Sequence, residues 1–267
     1  MTITIILTVS REEYLTDVIS ALELIDCDPT YTNLLCIVDG DNKLYVKVRN
    51  MIQDTKFNER LTVKYPETKP VKRFDWLARR KRITAIHNFA KSRVGIADYV
   101  FLTEDDTIVP RNALTKLMNI FRNTPGCVYA EGVELGRWGI PYIGGWRFND
   151  IYNPTSTTSI PYKDSGIENI DAGGFYCALI DANIYKNHVF HTYQSLGPDI
   201  SMGLELRQNG YTNMVDYSVV CKHFNQQLKN QREILIPDES TVETTIVKKN
   251  DSFWEVLPID KHKLNKR

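Results

Sequence analysis

The chain has 267 residues, 42% of them hydrophobic and 25% charged, with Lys plus Arg and Asp plus Glu both totalling 33. That length and balance fit one large globular domain with room for an appendage, and they exclude nucleic-acid binding driven by overall charge, though not by a local basic groove. Five widely spaced cysteines without a CxxC pair exclude a zinc ribbon or dithiol redox motif and predict reduced, mostly core residues.

The opening run TITIILTV is apolar and β-branched, the pattern of a strand buried on both faces of a parallel sheet. It is too short to span a bilayer and lacks a basic leader region and cleavage site, so a soluble, cytoplasmic protein is expected. Ser10 with Glu13 three residues on reads as a capping box, and Tyr14, Val18, Ala21, Leu22 and Ile25 then recur at helical spacing. Buried runs at Leu34–Val38 and Leu61–Tyr65 read as two further strands. The first ends in Asp39-Gly40-Asp41, a carboxylate at the strand end where α/β sheets bind ligands.

Trp76–Arg93 reads as a helix with a basic first half (Arg79, Arg80, Lys81, Arg82) and an apolar stripe of Ile83, Ile86, Phe89 and Ala90. Asp98–Thr103 is another buried strand, stopping at Glu104-Asp105-Asp106, and Pro110 opens a helix carrying Leu114, Leu117, Met118 and Phe121. A strand at Cys127–Ala130 leads into the glycine- and aromatic-rich segment EGVELGRWGIPYIGGWRF. The polar stretch Asn149–Asn169 reads as an exposed loop or flap. A strand (Gly174–Ile180), a helix (Ile200–Asn209) and a strand (Val215–Val220) follow, and the chain from Phe224 on is less regular, ending in KHKLNKR. The alternation predicts an α/β fold with a mixed, mostly parallel central sheet flanked by helices.

Three carboxylates at the end of a buried strand repel one another unless a cation neutralises them. A hard ion such as Mg²⁺ or Mn²⁺ prefers such oxygen ligands and would hold a diphosphate as a leaving group. A solvated acidic turn is the plainer alternative. Asp199 follows Gly197-Pro198 at a helix start, where the helix dipole favours an ionised carboxylate, whether as a cap or as a reactive group. Lys72, Arg73 and Arg79–Arg82 are either a solvated face or cations for phosphates or an anionic acceptor. Trp138 and Trp146, flanked by glycines, are suited to stacking on sugar rings or bases.

Thr-Glu-Asp-Asp after YVFL resembles the DxD-containing segment of GT-A glycosyltransferases, especially family 2, with Glu104 where Asp is commonest. The resemblance continues in order through IILTVS, LLCIVDGD, RKRITAIHNFAKSRVGIADYV, DAGGFYCALI and LGPDISMGLELRQNGYTNMVDYSVVCKHF, over roughly residues 2–224. It implies a GT-A (Rossmann-like) domain over 1–223, with a nucleotide-sugar-binding half at 1–106, an acceptor half at 107–223 and an extension at 224–267. It also implies donor contacts from Asp39, Arg82, Asn88, Glu104 and Asp105, a metal (Mn²⁺ or Mg²⁺) on Asp106 and His223, and acceptor contacts near Gly173 and Gly174, with Trp138 and Trp146 as candidates. Asp199 matches the general base of inverting members. The reaction implied is sugar transfer from a nucleotide diphosphate sugar, a UDP-sugar foremost, to a saccharide or a hydroxymethylated DNA base. The competing readings are a nucleotidyltransferase, disfavoured by SREEY where a glycine-rich signature belongs, and a non-catalytic nucleotide-sugar-binding module.

Overall fold

A computed structural model describes residues 1–66, 71, 75–135, 145–154, 157–160, 163, 165–192 and 196–224, with the backbone of three further strands at 233–237, 244–249 and 254–258. In chain order the elements are β1 (Ile3–Val9), α1 (Leu15–Leu24), β2 (Thr32–Val38), α2 (Asn42–Ile52), β3 (Arg60–Lys64), α3 (Trp76–Lys91), β4 (Tyr99–Glu104), β5 (Thr107–Ile108) and α4 (Ala113–Asn123). They continue with β6 (Cys127–Leu135), β7 (Trp146–Phe148), β8 (Thr157–Ser159), β9 (Ile167–Ile170), β10 (Cys177–Asp181), α5 (Ala182–Asn187), α6 (Pro198–Gln208) and β11 (Thr212–His223). Last come β12 (Glu233–Pro237), β13 (Thr244–Lys249) and β14 (Trp254–Pro258).

The main sheet runs β3-β2-β1-β4-β10-β6-β11-β5, with β9 also paired to β11. β1 lies parallel between β2 and β4, matching Val9 to Val38 and Thr8 to Glu104. That register brings the loops after β1, β2 and β4 to one edge of the sheet, where parallel α/β sheets open their ligand crevices. β10 runs antiparallel to both β4 and β6, while β11 is parallel to β6. Helices cover both faces. Ile5, Leu7 and Val9 pack with residues of α1, α2 and α4, and Ile6 packs with Leu35, Ile37, Ile86 and Met202 on the other side. The uninterrupted apolar runs follow from this, because no face of β1 meets water.

Several expectations change. Ser10 does not cap α1: the N-cap is Tyr14, without a side-chain hydrogen bond, and Ser10 is used elsewhere. The run at Leu61 is an edge strand rather than a buried one, with Leu61 47% exposed. Helix α2 was not foreseen. Its N-cap Asp41 accepts from the Leu44 N–H, and Val48 and Ile52 bury its inner face. The flap contains strands β8 and β9, and the irregular tail contains β12, β13 and β14 as an antiparallel sheet. Short β-branched runs such as ILI and TIV are ambiguous by periodicity alone, and a partner strand decides them.

The pairing of β11 with β6 slips between Asp216 and Val220, and there a Cβ on Gly132 would stand 2.5 Å from the Val219 carbonyl oxygen. Backbone approaches too closely for any side chain. Gly132→Ala is therefore expected to cost about 1–3 kcal/mol by overpacking, read as a lowered urea midpoint with an unchanged slope.

Candidate active site

The loop after β4 carries Glu104, Asp105 and Asp106, and the three carboxylates take different directions. Asp105 turns inward. Its Oδ2 accepts from the backbone N–H of Ser10 (2.6 Å), the Ser10 hydroxyl (3.2 Å) and the backbone N–H of Arg11 (2.7 Å). Its Oδ1 accepts from Arg11 Nε (3.2 Å) and Nη2 (2.9 Å). Asp105, expected at the donor, is instead a latch between the loops after β1 and β4. Arg11 continues from it to Asp106 Oδ2. Burial works against the Arg11 charge, but Asp105 and Asp106 outweigh it and hold the guanidinium protonated.

Asp106 and Glu104 face His223, at the end of β11. His223 Nε2 lies 3.2 Å from Asp106 Oδ1 and 3.7 Å from Glu104 Oε2, and the three residues offer ligand atoms within 4.8 Å of one another. The other ring nitrogen, Nδ1, meets the Glu134 carboxylate of β6. A carboxylate on Nδ1 fixes the tautomer and ring orientation of a metal-binding histidine, and it leaves the Nε2 lone pair for the ion. Asp106 Oδ1 is buried, with the His223 ring nitrogen at 3.2 Å and no well-aligned hydrogen bond among the described residues. A buried carboxylate oxygen beside an imidazole and a second carboxylate is the environment that a divalent cation completes. These residues fit such an ion.

The electrostatics agree. Burial raises Glu104, and Asp106 adds to it, taking its pKa to about 7. Burial alone would raise Asp106, but His223 and Arg11 hold it below the ordinary carboxylate range. Burial alone would lower His223, yet Asp106 and Glu134 push it well above the usual imidazole value. The cluster thus favours a positive charge between Asp106 and His223, which a proton supplies in the free site and a cation replaces. β11 is anchored here by the Phe224 N–H, which donates to the Asp106 carbonyl (2.6 Å), and by Phe224 stacking on Tyr14 at 4.3 Å.

Asp39, just beyond β2, pairs with Arg82 Nε of α3 at 3.2 Å, and the Arg82 guanidinium sits 5.2 Å from the Tyr65 ring centroid. Two of the expected donor residues are therefore together at the strand-end edge. Asn88 is not with them. Its amide brackets the backbone of Phe190, donating to the carbonyl at 2.7 Å and accepting from the N–H at 3.1 Å.

Asp199 lies in the first turn of α6, after Gly197 as N-cap and Pro198. Burial raises its pKa to about 6, opposed by the N–H groups of Ile200 and Asp199 itself and by Arg80 of α3. One residue of the basic face thus reaches the field of this carboxylate, while Arg79 lies 5.1 Å from the Trp76 ring. Lys72, Arg73 and Trp138 lie outside the described residues. Trp146 is half-buried in β7, its N–H bonded to the Ala172 carbonyl (2.8 Å).

Gly173 and Gly174 rest on Glu131 of β6, fully buried, which the sequence reading missed. A Cβ on Gly173 would stand 2.1 Å from Glu131 Oε2. The same oxygen accepts from the Gly174 N–H and lies 2.6 Å from the Tyr129 hydroxyl, which is also 2.6 Å from the Gly174 carbonyl. One phenol hydrogen cannot serve two acceptors. It goes to the carbonyl, which has no proton to offer, and the contact with Glu131 needs a carboxyl proton. Burial, reinforced by the charge of Asp199, raises Glu131 well above the ordinary range, as that arrangement demands. In the sequence Glu131 directly follows the apolar run Cys127–Ala130, with Glu134 three residues on.

No protein-family model and no curated protein matches the chain by sequence. Solved structures do match in shape. The mannosyltransferase PcManGT from Pyrobaculum calidifontis, in complex with GDP-Man and Mn²⁺, aligns with a TM-score of 0.60 and 12% identity, over 86% of this chain and 57% of that one. GalNAc-T7 with UDP, GalNAc and Mn²⁺ gives 0.60 and 10%, over 84% and 44%. S. aureus TarS 1-349 in complex with UDP-GlcNAc gives 0.53 and 12%, over 84% and 59%. The chain thus spans about half the length of the structures it matches.

The latch makes a prediction of its own. Asp105→Ala strands the Ser10 and Arg11 N–H groups and removes one of two carboxylates from Arg11, so it should cost roughly 3 kcal/mol or more in stability, measured by denaturant unfolding. The sheet order, the crossing of helices on both faces and these structural matches agree: the chain has the GT-A fold.

Proposed function

We propose that the protein is a metal-dependent glycosyltransferase that moves a sugar from a nucleotide diphosphate donor to an acceptor hydroxyl. The observation that carries the reading is the Glu104, Asp106 and His223 cluster, with Glu134 orienting the histidine, at the sheet edge that also holds Asp39 and Arg82. The matched structures are of a mannosyltransferase with GDP-Man and Mn²⁺, of GalNAc-T7 with UDP and Mn²⁺, and of TarS with UDP-GlcNAc, which supports this class of donor and ion. Mn²⁺ or Mg²⁺ bound by Asp106, His223 and Glu104 would neutralise the diphosphate as it leaves. Asp39, paired with Arg82, would contact the base and ribose.

The remaining steps fall to side chains of this chain. Asp199, ionised above a pKa of about 6, takes the proton from the acceptor hydroxyl. The acceptor oxygen then attacks the anomeric carbon and the bond to the diphosphate oxygen breaks, so the sugar inverts. A nucleotidyltransferase fits less well, because the loop N–H groups of Ser10 and Arg11 are turned onto Asp105 and are not open to phosphates. Among the described residues no helix is long and apolar enough to cross a membrane. The test is turnover, including slow donor hydrolysis, across UDP- and GDP-sugars with Mn²⁺; complete inertness toward all of them would sink the proposal.

Two variants sharpen it. Glu134→Gln should weaken Mn²⁺ binding about 10–100-fold, the usual effect of losing an orienting partner, by calorimetric titration. Asp199→Asn should lower kcat about 10²–10⁴-fold while leaving donor affinity intact. In the unmodified protein kcat/KM should fall tenfold per pH unit below about 6. The same residue gives a stability signature. Its folded pKa is raised, so its favourable contribution is present at low pH and is lost as pH rises from the ordinary 3.8 through about 6. Asp199→Asn should therefore melt higher than the unmodified protein at pH 8, with the gap closing in acid.

A further inference from the structure

A second cluster of donor atoms lies further along α6, away from the Glu104 site. Glu205 faces the segment after α5, where His188 and His191 stand in the sequence HVFH. His188 Nδ1 is 3.6 Å from Glu205 Oε2, and His191 Nε2 is 3.1 Å from Glu205 Oε1. All three residues offer a ligand atom within 4.8 Å of the others. A tetrahedral ion with bonds of about 2.0–2.1 Å to nitrogen and oxygen sets its ligand atoms roughly 3.3 Å apart. The two separations, one to each oxygen of the Glu205 carboxylate, lie close to that spacing.

The segment is held in place independently of any ion. Asn88 brackets the Phe190 backbone, Lys91 Nζ donates to the His188 carbonyl at 2.6 Å, and the His188 ring packs edge-on against Phe190 at 4.8 Å. The His188 side chain is 9% exposed, and its Nε2 has no hydrogen-bond partner among the described residues. A buried imidazole left without a hydrogen bond at that edge is held by packing and by what its Nδ1 faces. His191 and Glu205 also line a cavity of about 300 Å³, walled by Tyr152, Pro154, Leu204 and Gln208. That cavity gives a water or a ligand oxygen room beside His191 and Glu205.

We propose that His188, His191 and Glu205 form a second divalent-metal site of the zinc type, clamping the segment after α5 to α6, the helix whose first turn carries Asp199. Two imidazoles and one carboxylate with an open fourth position suit Zn²⁺. The Glu104, Asp106 and His223 cluster, with two carboxylates to one imidazole, suits a harder ion. The two sites thus differ in the metal they select, and this proposal does not depend on the transferase reading.

The test is a Zn²⁺ titration of the chelator-stripped full chain in excess Mg²⁺, competed against a fluorescent zinc indicator, with Co²⁺ absorption reporting coordination. One Zn²⁺ per chain and a tetrahedral Co²⁺ spectrum are expected. His191→Ala and Glu205→Gln, both at partly exposed positions, should each weaken Zn²⁺ at least ~10–100-fold, the loss seen even for a supporting residue. His223→Ala should leave it unchanged, and unaltered melting of the metal-free variants excludes misfolding. No bound Zn²⁺ above the Mg²⁺ background overturns the site, as does binding that survives both variants or vanishes with His223→Ala.

Discussion

The structure depends on one problem of charge, the placing of three adjacent carboxylates at the end of a buried strand. Unscreened, they would drive the loop after β4 apart. The chain divides them. Asp105 is neutralised inward by Arg11 and the Ser10 and Arg11 N–H groups, which ties the first strand's exit to the fourth's. Asp106 is shared between Arg11 and His223, and Glu104 stays at the cluster's edge with a pKa of about 7. Because Asp105 is satisfied within the protein, Asp106 and Glu104 are left to face His223.

β6 joins the two halves of the site. Glu134 orients His223 from one end of the strand, while Glu131 supports Gly173 and Gly174 close to Asp199. One strand thus carries an acid that meets His223 and an acid under the glycine pair, the latter raised by burial well above the ordinary carboxylate range. Their surroundings differ. Glu131 is fully buried against a phenol and a backbone N–H, whereas Glu134 meets an imidazole.

Much of the fold was legible because it rests on period and burial. The runs before Asp39 and Glu104 are apolar without interruption since both faces of β1, β2 and β4 are covered, and that pattern reads directly. The meeting of Asp106 and His223 was legible only through the order of motifs, because no local spacing connects residues from β4 and β11, and Glu104, expected at the donor, joins them. Asp105 and Asn88 show the limit. Each has the residue type for ligand contact, yet each is consumed by backbone groups that come from distant elements, Ser10 and Arg11 in one case and Phe190 in the other. Glu131 went unnoticed for the opposite reason, since an acid just after an apolar run matches no motif and its partners, Tyr129 and Gly174, are fixed only by the fold.

The seat of Phe224 on Asp106 and Tyr14 closes the domain from its two ends. His223 reaches its partners only when the last strand of the main sheet has been laid beside β6, with the chain from 107 to 222 already in place. No fragment that stops short of β11 can assemble the cluster, and bringing together residues so far apart in sequence costs loop-closure entropy. The meeting of Glu104 and Asp106 with His223 is therefore a property of the finished sheet. A partly synthesised or partly folded molecule would present its acidic loop to Arg11 without the imidazole.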